Sequence, residues 1–219
     1  MPVDSDAPVR ISAFAWVPEF ARGQVRDLRV RWALEEAGIP YSVRKLEAMT
    51  ARPADYFEEQ PFGQVPSYRD ADVELFESGA IVLHVGEQSE ALLPADPGER
   101  ARAAAWLFAA LNTLEPQVQQ LGSIDFFHKD EAWTRERRPQ VLEMVNLRLK
   151  QIADHLGERE WLEDRFTVGD LMMTTVLRIL NGKDIVEQYP NLAAYQARAE
   201  ARPAFGRALA AQLADFEDR

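Results

Sequence analysis

The sequence contains no cysteine. Disulfides, thiolate metal sites and a cysteine nucleophile are therefore excluded, and the composition fits a reducing compartment. No apolar run approaches the roughly 20 residues that a membrane-spanning helix requires. Residues 1–10 are polar and acidic, unlike a secretory leader. A cytoplasmic protein without a membrane partner is the expectation.

The chain also has no excess of basic charge. Its 36 acidic side chains outnumber its 25 basic ones, and the net charge is −11. Nucleic-acid binding needs a basic footprint, so no nucleic-acid partner is expected. The three histidines are isolated, without the paired spacing of metal ligands, so no metal site is expected. With 219 residues and 47% hydrophobic content, the chain can build one or two domains with a sizeable core.

Strand and helix patterns alternate in the first half of the chain. The apolar run at 11–16 predicts a buried strand, and an apolar stripe predicts a helix over 24–37 that ends at Gly38. Residues 41–46 predict a second strand, so the three elements form a right-handed parallel βαβ unit. Asp27 is expected in the first helical turn, where the helix dipole favours an acid.

A Val-Pro pair precedes a predicted hairpin. The turn residues 70–72 separate two short strand-like runs, 66–68 and 73–76. Pro66 cannot donate a ladder hydrogen bond. If its peptide bond is cis, the N–H and C=O of Val65 turn outward. Val65 can then pair with an extended peptide ligand, as an added strand does.

An acid–hydroxyl pair opens the apolar helix after the hairpin. Ser78 is predicted to cap this helix and to leave its N–H groups open for an anion, while Glu77 can take an ammonium group. Alone, each motif is more often a plain turn or a helix cap. Together, about a dozen residues apart across a hairpin, they predict a site for a small zwitterionic peptide. His84, on the same helix, is expected to be a packed core histidine.

The second half of the chain reads as helical. Residues 88–96 contain prolines and no long apolar run, so they are predicted to link two domains. Thr167 and Asp170 form a predicted capping box before a nearly all-apolar helix. The order β-α-β-α-β-β-α over residues 9–87 is that of a thioredoxin-like α/β domain, and residues 97–219 are predicted to form an all-α domain.

This layout and its motifs resemble the cytosolic glutathione transferases of bacterial type, over nearly the whole chain. In that family, the residues that match Gln64, Val65 and Pro66 bind the cysteinyl backbone of glutathione. Those that match Glu77 and Ser78 hold its γ-glutamyl end. The resemblance implies glutathione as co-substrate, a small apolar second substrate and a homodimer.

The chain departs from this family at the group that activates the glutathione thiol. The family places a Tyr, Ser or Cys near the end of the first strand or the start of the first helix, and none of these, nor a Thr, occurs between Ala13 and Arg31. Backbone N–H groups, a cation or another donor can also favour a thiolate. The candidates are Trp16, Arg22, Gln24, Arg26 and the N–H groups of residues 23–25.

Three functional hypotheses follow from the resemblance and from this departure. The first is a glutathione transferase in which the thiolate attacks a small hydrophobic electrophile. The second is a glutathione-dependent disulfide or peroxide reductase. The third is a non-catalytic glutathione-binding or scaffold protein of the same fold. The identity of the electrophile depends on packing that the sequence does not define.

Overall fold

The structure, a computed structural model, describes residues 3–216. Its first half alternates strands and helices, as the sequence predicts. The elements are β1 (Val9–Phe14), α1 (Asp27–Ala37), β2 (Tyr41–Leu46), α2 (Tyr56–Glu59), β3 (Ser67–Arg69), β4 (Glu74–Phe76) and α3 (Ser78–Glu87).

The four strands form one mixed sheet in the order β2-β1-β3-β4. β1 and β2 are parallel, with Val9 opposite Tyr41, and β1 is antiparallel to β3, with Ile11 opposite Tyr68. β3 and β4 are antiparallel, with Ser67 opposite Phe76. The predicted βαβ unit, the predicted hairpin and the thioredoxin-like fold class are therefore confirmed. α1 and α3 pack against each other.

Two predicted boundaries shift in the structure. The first strand covers 9–14 rather than 11–16, because its parallel pairing with β2 begins at Val9. α1 begins at Asp27 rather than at Gln24, because the Gln24 N–H bonds the Ala21 carbonyl in a turn. The helix ends as predicted at Gly38, which has a φ of +68° and the left-handed conformation that glycine tolerates.

The second half is helical. Its helices are α4 (Pro97–Ala109), α5 (Glu115–Phe127), α6 (Thr134–Leu156), α7 (Val168–Leu177), α8 (Pro190–Glu200) and α9 (Pro203–Asp215). A five-residue π-helical turn, Ala110–Leu114, joins α4 to α5. The predicted capping box is present, since Thr167 accepts the Gly169 N–H and Asp170 accepts the Thr167 N–H.

The chain divides into two compact units. One unit holds residues 3–94 together with 201–216, and the other holds residues 95–200. α9 therefore packs against α1 in the unit that contains the sheet, although the sequence placed it in an all-α domain over 97–219. The Phe205 ring lies edge-on to Trp32 of α1 with centroids 4.8 Å apart. Among residues 3–216, no helix is long and apolar enough to cross a membrane.

Candidate functional site

The Val65–Pro66 pair lies at the entrance to β3, and its peptide bond is cis. Val65 is 8% exposed and belongs to a small apolar cluster with Leu46 and Tyr56. Phe14, at the end of β1, and Val25, in the loop before α1, pack against this cluster. The strand end, the loop before α1 and the Val-Pro pair therefore meet at one point.

Two buried hydroxyl groups anchor the backbone on either side of the pair. The Tyr56 hydroxyl donates to the Gln64 carbonyl at 2.6 Å, and it contacts Ser12 Oγ at 2.7 Å. Ser12 Oγ in turn accepts the Ser67 N–H at 2.7 Å. Burial raises the pKa of Tyr56, so its hydroxyl stays protonated and remains a donor at neutral pH.

The backbone N–H and C=O of Val65 have no hydrogen-bond partner within residues 3–216. Buried or half-buried backbone groups are normally paired, so an unpaired residue between two anchored neighbours is a place where a ligand can bind. An extended peptide can satisfy both groups by lying alongside Val65.

The sheet register brings the acid–hydroxyl pair next to the Val-Pro pair. Because Ser67 lies opposite Phe76, the next residues outward are Pro66 on one strand and Glu77 on the other. Glu77 is exposed and has a φ of +70°, which is strained for a residue with a side chain. Such strain occurs most often at ligand sites and tight turns.

Ser78 does not cap α3, which corrects the sequence prediction. Glu77 takes the N-cap position, and Ser78 is the first helical residue. The Ser78 side chain is buried and its Oγ accepts a hydrogen bond from Arg29 Nη1 at 3.2 Å. The first helical hydrogen bond runs from the Ile81 N–H to the Glu77 carbonyl, so the earlier N–H groups of the helix make no helical hydrogen bond.

The β3–β4 turn is held by one carboxylate, that of Asp70, whose partners the sequence did not predict. Asp70 accepts hydrogen bonds from the Tyr68 hydroxyl, the Asp72 and Val73 N–H groups, and pairs with His84 Nε2 at 3.0 Å. Burial opposes ionisation, but these hydrogen bonds, led by His84, hold the pKa of Asp70 well below its usual range. His84 is therefore a partly exposed partner of Asp70, and the prediction of a core histidine is wrong.

A cation that no sequence pattern predicts lies beside the Val-Pro pair. Arg52 Nε donates to the Gly63 carbonyl at 2.9 Å, and its guanidinium lies 4.9 Å from the centroid of the Phe14 ring. Gly63 precedes Val65 by two residues, and Phe14 packs against the Val65 cluster. In the sequence, Arg52 is one arginine in an irregular segment, and no local pattern marks it.

The four side chains proposed as thiol activators lie in or near the loop before α1. Arg22 pairs with Glu19 at 3.3 Å and lies 5.9 Å from the Phe216 ring centroid. Arg26 is exposed at the N-cap position of α1 and makes no capping hydrogen bond. Trp16 and Gln24 are half-buried.

Val25 is the loop residue that packs against the Val65 cluster. Its N–H has no hydrogen-bond partner among the residues that the structure describes. Gln212 of α9 holds the Val25 carbonyl at 3.1 Å and Asp27 Oδ1 at 2.7 Å. Asp27 also pairs with Arg31 at 2.8 Å, so this acid is a buried ion-pair partner as well as a first-turn acid.

Metal ligands are not grouped in the part of the chain that the structure describes. Within residues 3–216, no set of three or more His, Asp or Glu side chains is arranged to hold a metal ion. The site offers the peptide edge at Val65, the N-terminus of α3 and the guanidinium of Arg52.

The known proteins to which this chain is similar are glutathione S-transferases. The model of the glutathione S-transferase N-terminal domain matches residues 20–87. A curated glutathione S-transferase of Hyoscyamus muticus is 27% identical over 201 residues, which cover 83% of this chain and 92% of the relative.

Two solved structures have the same fold, each with a TM-score of 0.81 and 22% identity. One is a glutathione transferase family member from Pseudomonas fluorescens with two glutathione bound, and the match covers 92% of both chains. The other is a glutathione transferase from Pseudomonas putida with one glutathione disulfide bound per subunit, and the match covers 95% of this chain and 93% of that one. Residues 20–87 thus match the N-terminal domain of the glutathione S-transferases, and the chain is similar over most of its length to curated proteins of that name.

Proposed function

We propose that the chain binds glutathione and promotes attack of its thiolate on a small hydrophobic electrophile. The observation that carries this proposal is the unpaired backbone of Val65, anchored on both sides and adjacent to the α3 N-terminus. The cysteinyl backbone of glutathione pairs with Val65. Its γ-glutamyl end, which carries one ammonium and one carboxylate, binds at Glu77 and Ser78.

This orientation directs the glycine end of glutathione away from α3, along Gln64 and Gly63. Arg52 is bonded to the Gly63 carbonyl and offers a positive charge to the glycine carboxylate. Charge-assisted contacts with carboxylates are among the stronger hydrogen bonds. We therefore add Arg52 to the proposed binding residues.

The proposed donor to the sulfur is the N–H of Val25. Its side chain packs against the Val65 cluster and its N–H is unpaired within the described chain, so it is available beside the cysteinyl group. A backbone donor near a helix N-terminus lowers a thiol pKa. Arg22 is a weaker candidate because it pairs with Glu19. Trp16, Gln24 and Arg26 remain secondary candidates.

Glutathione-dependent reduction of disulfides or peroxides is a second candidate. The Pseudomonas putida neighbour, with bound glutathione disulfide, favours it. In this reaction the thiolate attacks one sulfur of a substrate disulfide and releases the other as a thiol. A second glutathione then resolves the mixed disulfide. Turnover measured with an aryl halide and with hydroxyethyl disulfide separates the two activities.

The test of the binding site is the affinity for glutathione by isothermal titration calorimetry. Ser78→Ala is expected to weaken binding about tenfold, because it removes one hydrogen bond to a charged group. Ser89→Ala is the matched control, since Ser89 lies just beyond the other end of α3. Equal binding by wild type and Ser78→Ala, at millimolar strength or weaker, rejects the site.

The ultraviolet absorbance of the thiolate of bound glutathione, followed against pH, tests whether the protein activates the thiol. The proposal expects the pKa of bound glutathione to lie below the thiol's ordinary value of about 8.5. An unchanged pKa favours the third hypothesis, a non-catalytic binding protein.

We also propose that the chain forms a homodimer, as the family resemblance implies. Exposed aromatic side chains on the sheet-containing unit support this proposal. Phe62 is 68% exposed and Phe76 is 39% exposed, and their rings lie edge-on with centroids 6.1 Å apart. Aromatic side chains are enriched where protein surfaces associate.

A further inference from the structure

Helix α2 holds the chain on both sides of the Val-Pro pair. The helix is a single turn, and its first and last residues are three positions apart, which places them on the same face. Tyr56 donates to the Gln64 carbonyl at 2.6 Å, and Glu59 Oε2 accepts the Ser67 hydroxyl at 3.0 Å. Gln64 precedes the Val-Pro pair and Ser67 follows it. Two side chains of one short helix therefore fix the backbone before and after the pair.

The Glu59 carboxylate is in turn fixed by the sheet. Its Oε1 accepts hydrogen bonds from Arg44 Nη1 of β2 and from Arg10 Nη2 of β1, the latter at 3.1 Å. The Glu59 side chain is only 13% exposed, so solvent weakens these contacts little. Hydrogen bonds between a guanidinium and a carboxylate are among the stronger ones in proteins. Two strands thus hold Oε1, while Oε2 bonds Ser67.

The direction of each hydroxyl proton follows from the two ends of this network. The Gln64 carbonyl can only accept, so Tyr56 donates to it, and Ser12 Oγ donates to the Tyr56 oxygen at 2.7 Å. Ser67 Oγ lies 3.0 Å from both Ser12 Oγ and Glu59 Oε2, and the carboxylate is the stronger acceptor. Ser12 also accepts the Ser67 N–H at 2.7 Å. All three buried hydroxyl protons therefore have an acceptor, and Glu59 is the charged end of the network.

We propose that Glu59 is a positioning residue for glutathione. Through its hydrogen bond to Ser67, it holds the Val65 backbone in the orientation that pairs with the cysteinyl amide of the ligand. This inference rests on the proposed function and adds to it a residue that does not touch the ligand. Without this bond, the Ser67 side chain no longer ties β3 to α2, and the N–H and C=O of Val65 are held less firmly.

The experiment measures by calorimetry how strongly variants of the full chain discriminate between two ligands. One ligand is glutathione, and the other is glutathione methylated at the cysteinyl amide nitrogen, which cannot donate to the Val65 carbonyl. Wild type is expected to bind the methylated ligand about tenfold more weakly, because one backbone hydrogen bond is lost. In Glu59→Ala we expect this factor to fall to about threefold, because the bond to a less firmly held Val65 is weaker.

Two further variants separate the hydrogen bond from the charge. Asp55→Ala is the matched control, because Asp55 lies at the start of the same helix but pairs with Arg44 rather than with Ser67. It should discriminate as wild type does. Glu59→Gln keeps an oxygen that can accept the Ser67 proton, so it should also discriminate as wild type does. It should lower the melting temperature, because Arg10 and Arg44 lose their ion pairs with Glu59.

Ser67→Ala tests the same bond from its other end. It removes the hydroxyl and keeps the backbone bond from the Ser67 N–H to Ser12 Oγ. It should reduce the discrimination as much as Glu59→Ala does, and it provides the test if Glu59→Ala does not fold.

The outcomes separate this inference from the proposed function. If wild type binds neither ligand, both fail. If wild type binds both ligands equally, or if Glu59→Ala or Ser67→Ala weakens both ligands by the same factor, the role of Glu59 is overturned and glutathione binding stands. The role is also overturned if Glu59→Gln discriminates as poorly as Glu59→Ala, because the charge rather than the bond to Ser67 would then be required.

Discussion

Tyr56 makes two hydrogen bonds on which the proposed peptide edge depends. Tyr56→Phe removes only the hydroxyl and leaves the Gln64 carbonyl and Ser12 Oγ without this partner. We expect the free energy of unfolding to fall by about 1 to 2 kcal/mol. We also expect glutathione binding to weaken severalfold, because Val65 loses one of its two anchors. Urea denaturation and calorimetry measure the two effects.

Tyr41→Phe is the control for this substitution. Tyr41 is equally buried in the same unit, but its hydroxyl has no hydrogen-bond partner among the described residues. Its loss should change stability little and glutathione affinity not at all. If both variants bind glutathione as tightly as wild type, Tyr56 does not support the site.

At the residue scale, the sequence predicted motifs better than contacts. Val65, Pro66 and Glu77 could be singled out because they stand next to each other or next to a turn. Arg29 and Arg52 could not be singled out from the sequence. Arg29 lies 49 residues from Ser78, and Arg52 belongs to no local sequence pattern. The capping prediction for Ser78 was wrong because a tertiary contact, not the local chain, sets the direction of its side chain.

Helix α7 depends on one carboxylate for its start. Asp170 is fully buried and accepts hydrogen bonds from the Leu162 and Thr167 N–H groups and from the Thr167 and Tyr195 hydroxyls. Asp170→Ala leaves these buried donors unpaired. We expect it to lower the free energy of unfolding by about 3 kcal/mol or more, measured by chemical denaturation.

Two further variants calibrate this expectation. Thr167→Ala removes the cap but leaves the Asp170 carboxylate in place, so it should cost about 0.5 to 2 kcal/mol. Asp154→Ala removes an exposed acid of α6 that pairs with Lys150, and it should cost less than about 0.5 kcal/mol. If Asp170→Ala and Asp154→Ala lower the free energy of unfolding by similar amounts, the role assigned to Asp170 in the capping box is contradicted.

Element order could be predicted from the sequence, because hydrophobic periodicity and caps are local signals. The capping box of α7 and the glycine end of α1 are examples. The start of α1 could not be predicted, because a turn at Gln24 competes with the helix. The π-helical turn at Ala110–Leu114 has no breaking residue to mark it.

At the scale of the whole chain, the sequence did not predict that α9 belongs to the sheet-containing unit. The contacts that hold it join residues more than 160 positions apart. Arg202 makes a two-pronged ion pair with Glu36, Arg207 pairs with Glu35, and Gln212 bonds Asp27. Composition shows a linker at 88–96, but it does not show which unit a later helix joins.

A chain that ends at Glu200 tests the dependence of the proposed site on α9. The truncation removes no proposed ligand contact, but it leaves Asp27, Arg31 and Glu35 without their partners on α9, and a broken buried ion pair costs about 3 to 5 kcal/mol. It also removes the Gln212 hydrogen bond to the Val25 carbonyl, which keeps only its bond from the Leu28 N–H. We expect a lower melting temperature and the loss of glutathione binding.

A chain that ends at Phe216 is the matched control, because it keeps α9 complete and removes only residues 217–219. It should bind glutathione as the full chain does. If the chain that ends at Glu200 also binds glutathione with the full-chain affinity, the first 94 residues form the site alone. The ion pairs of α9 would then stabilise only the packing of α9 against α1, and they would not affect the conformation of the loop before α1.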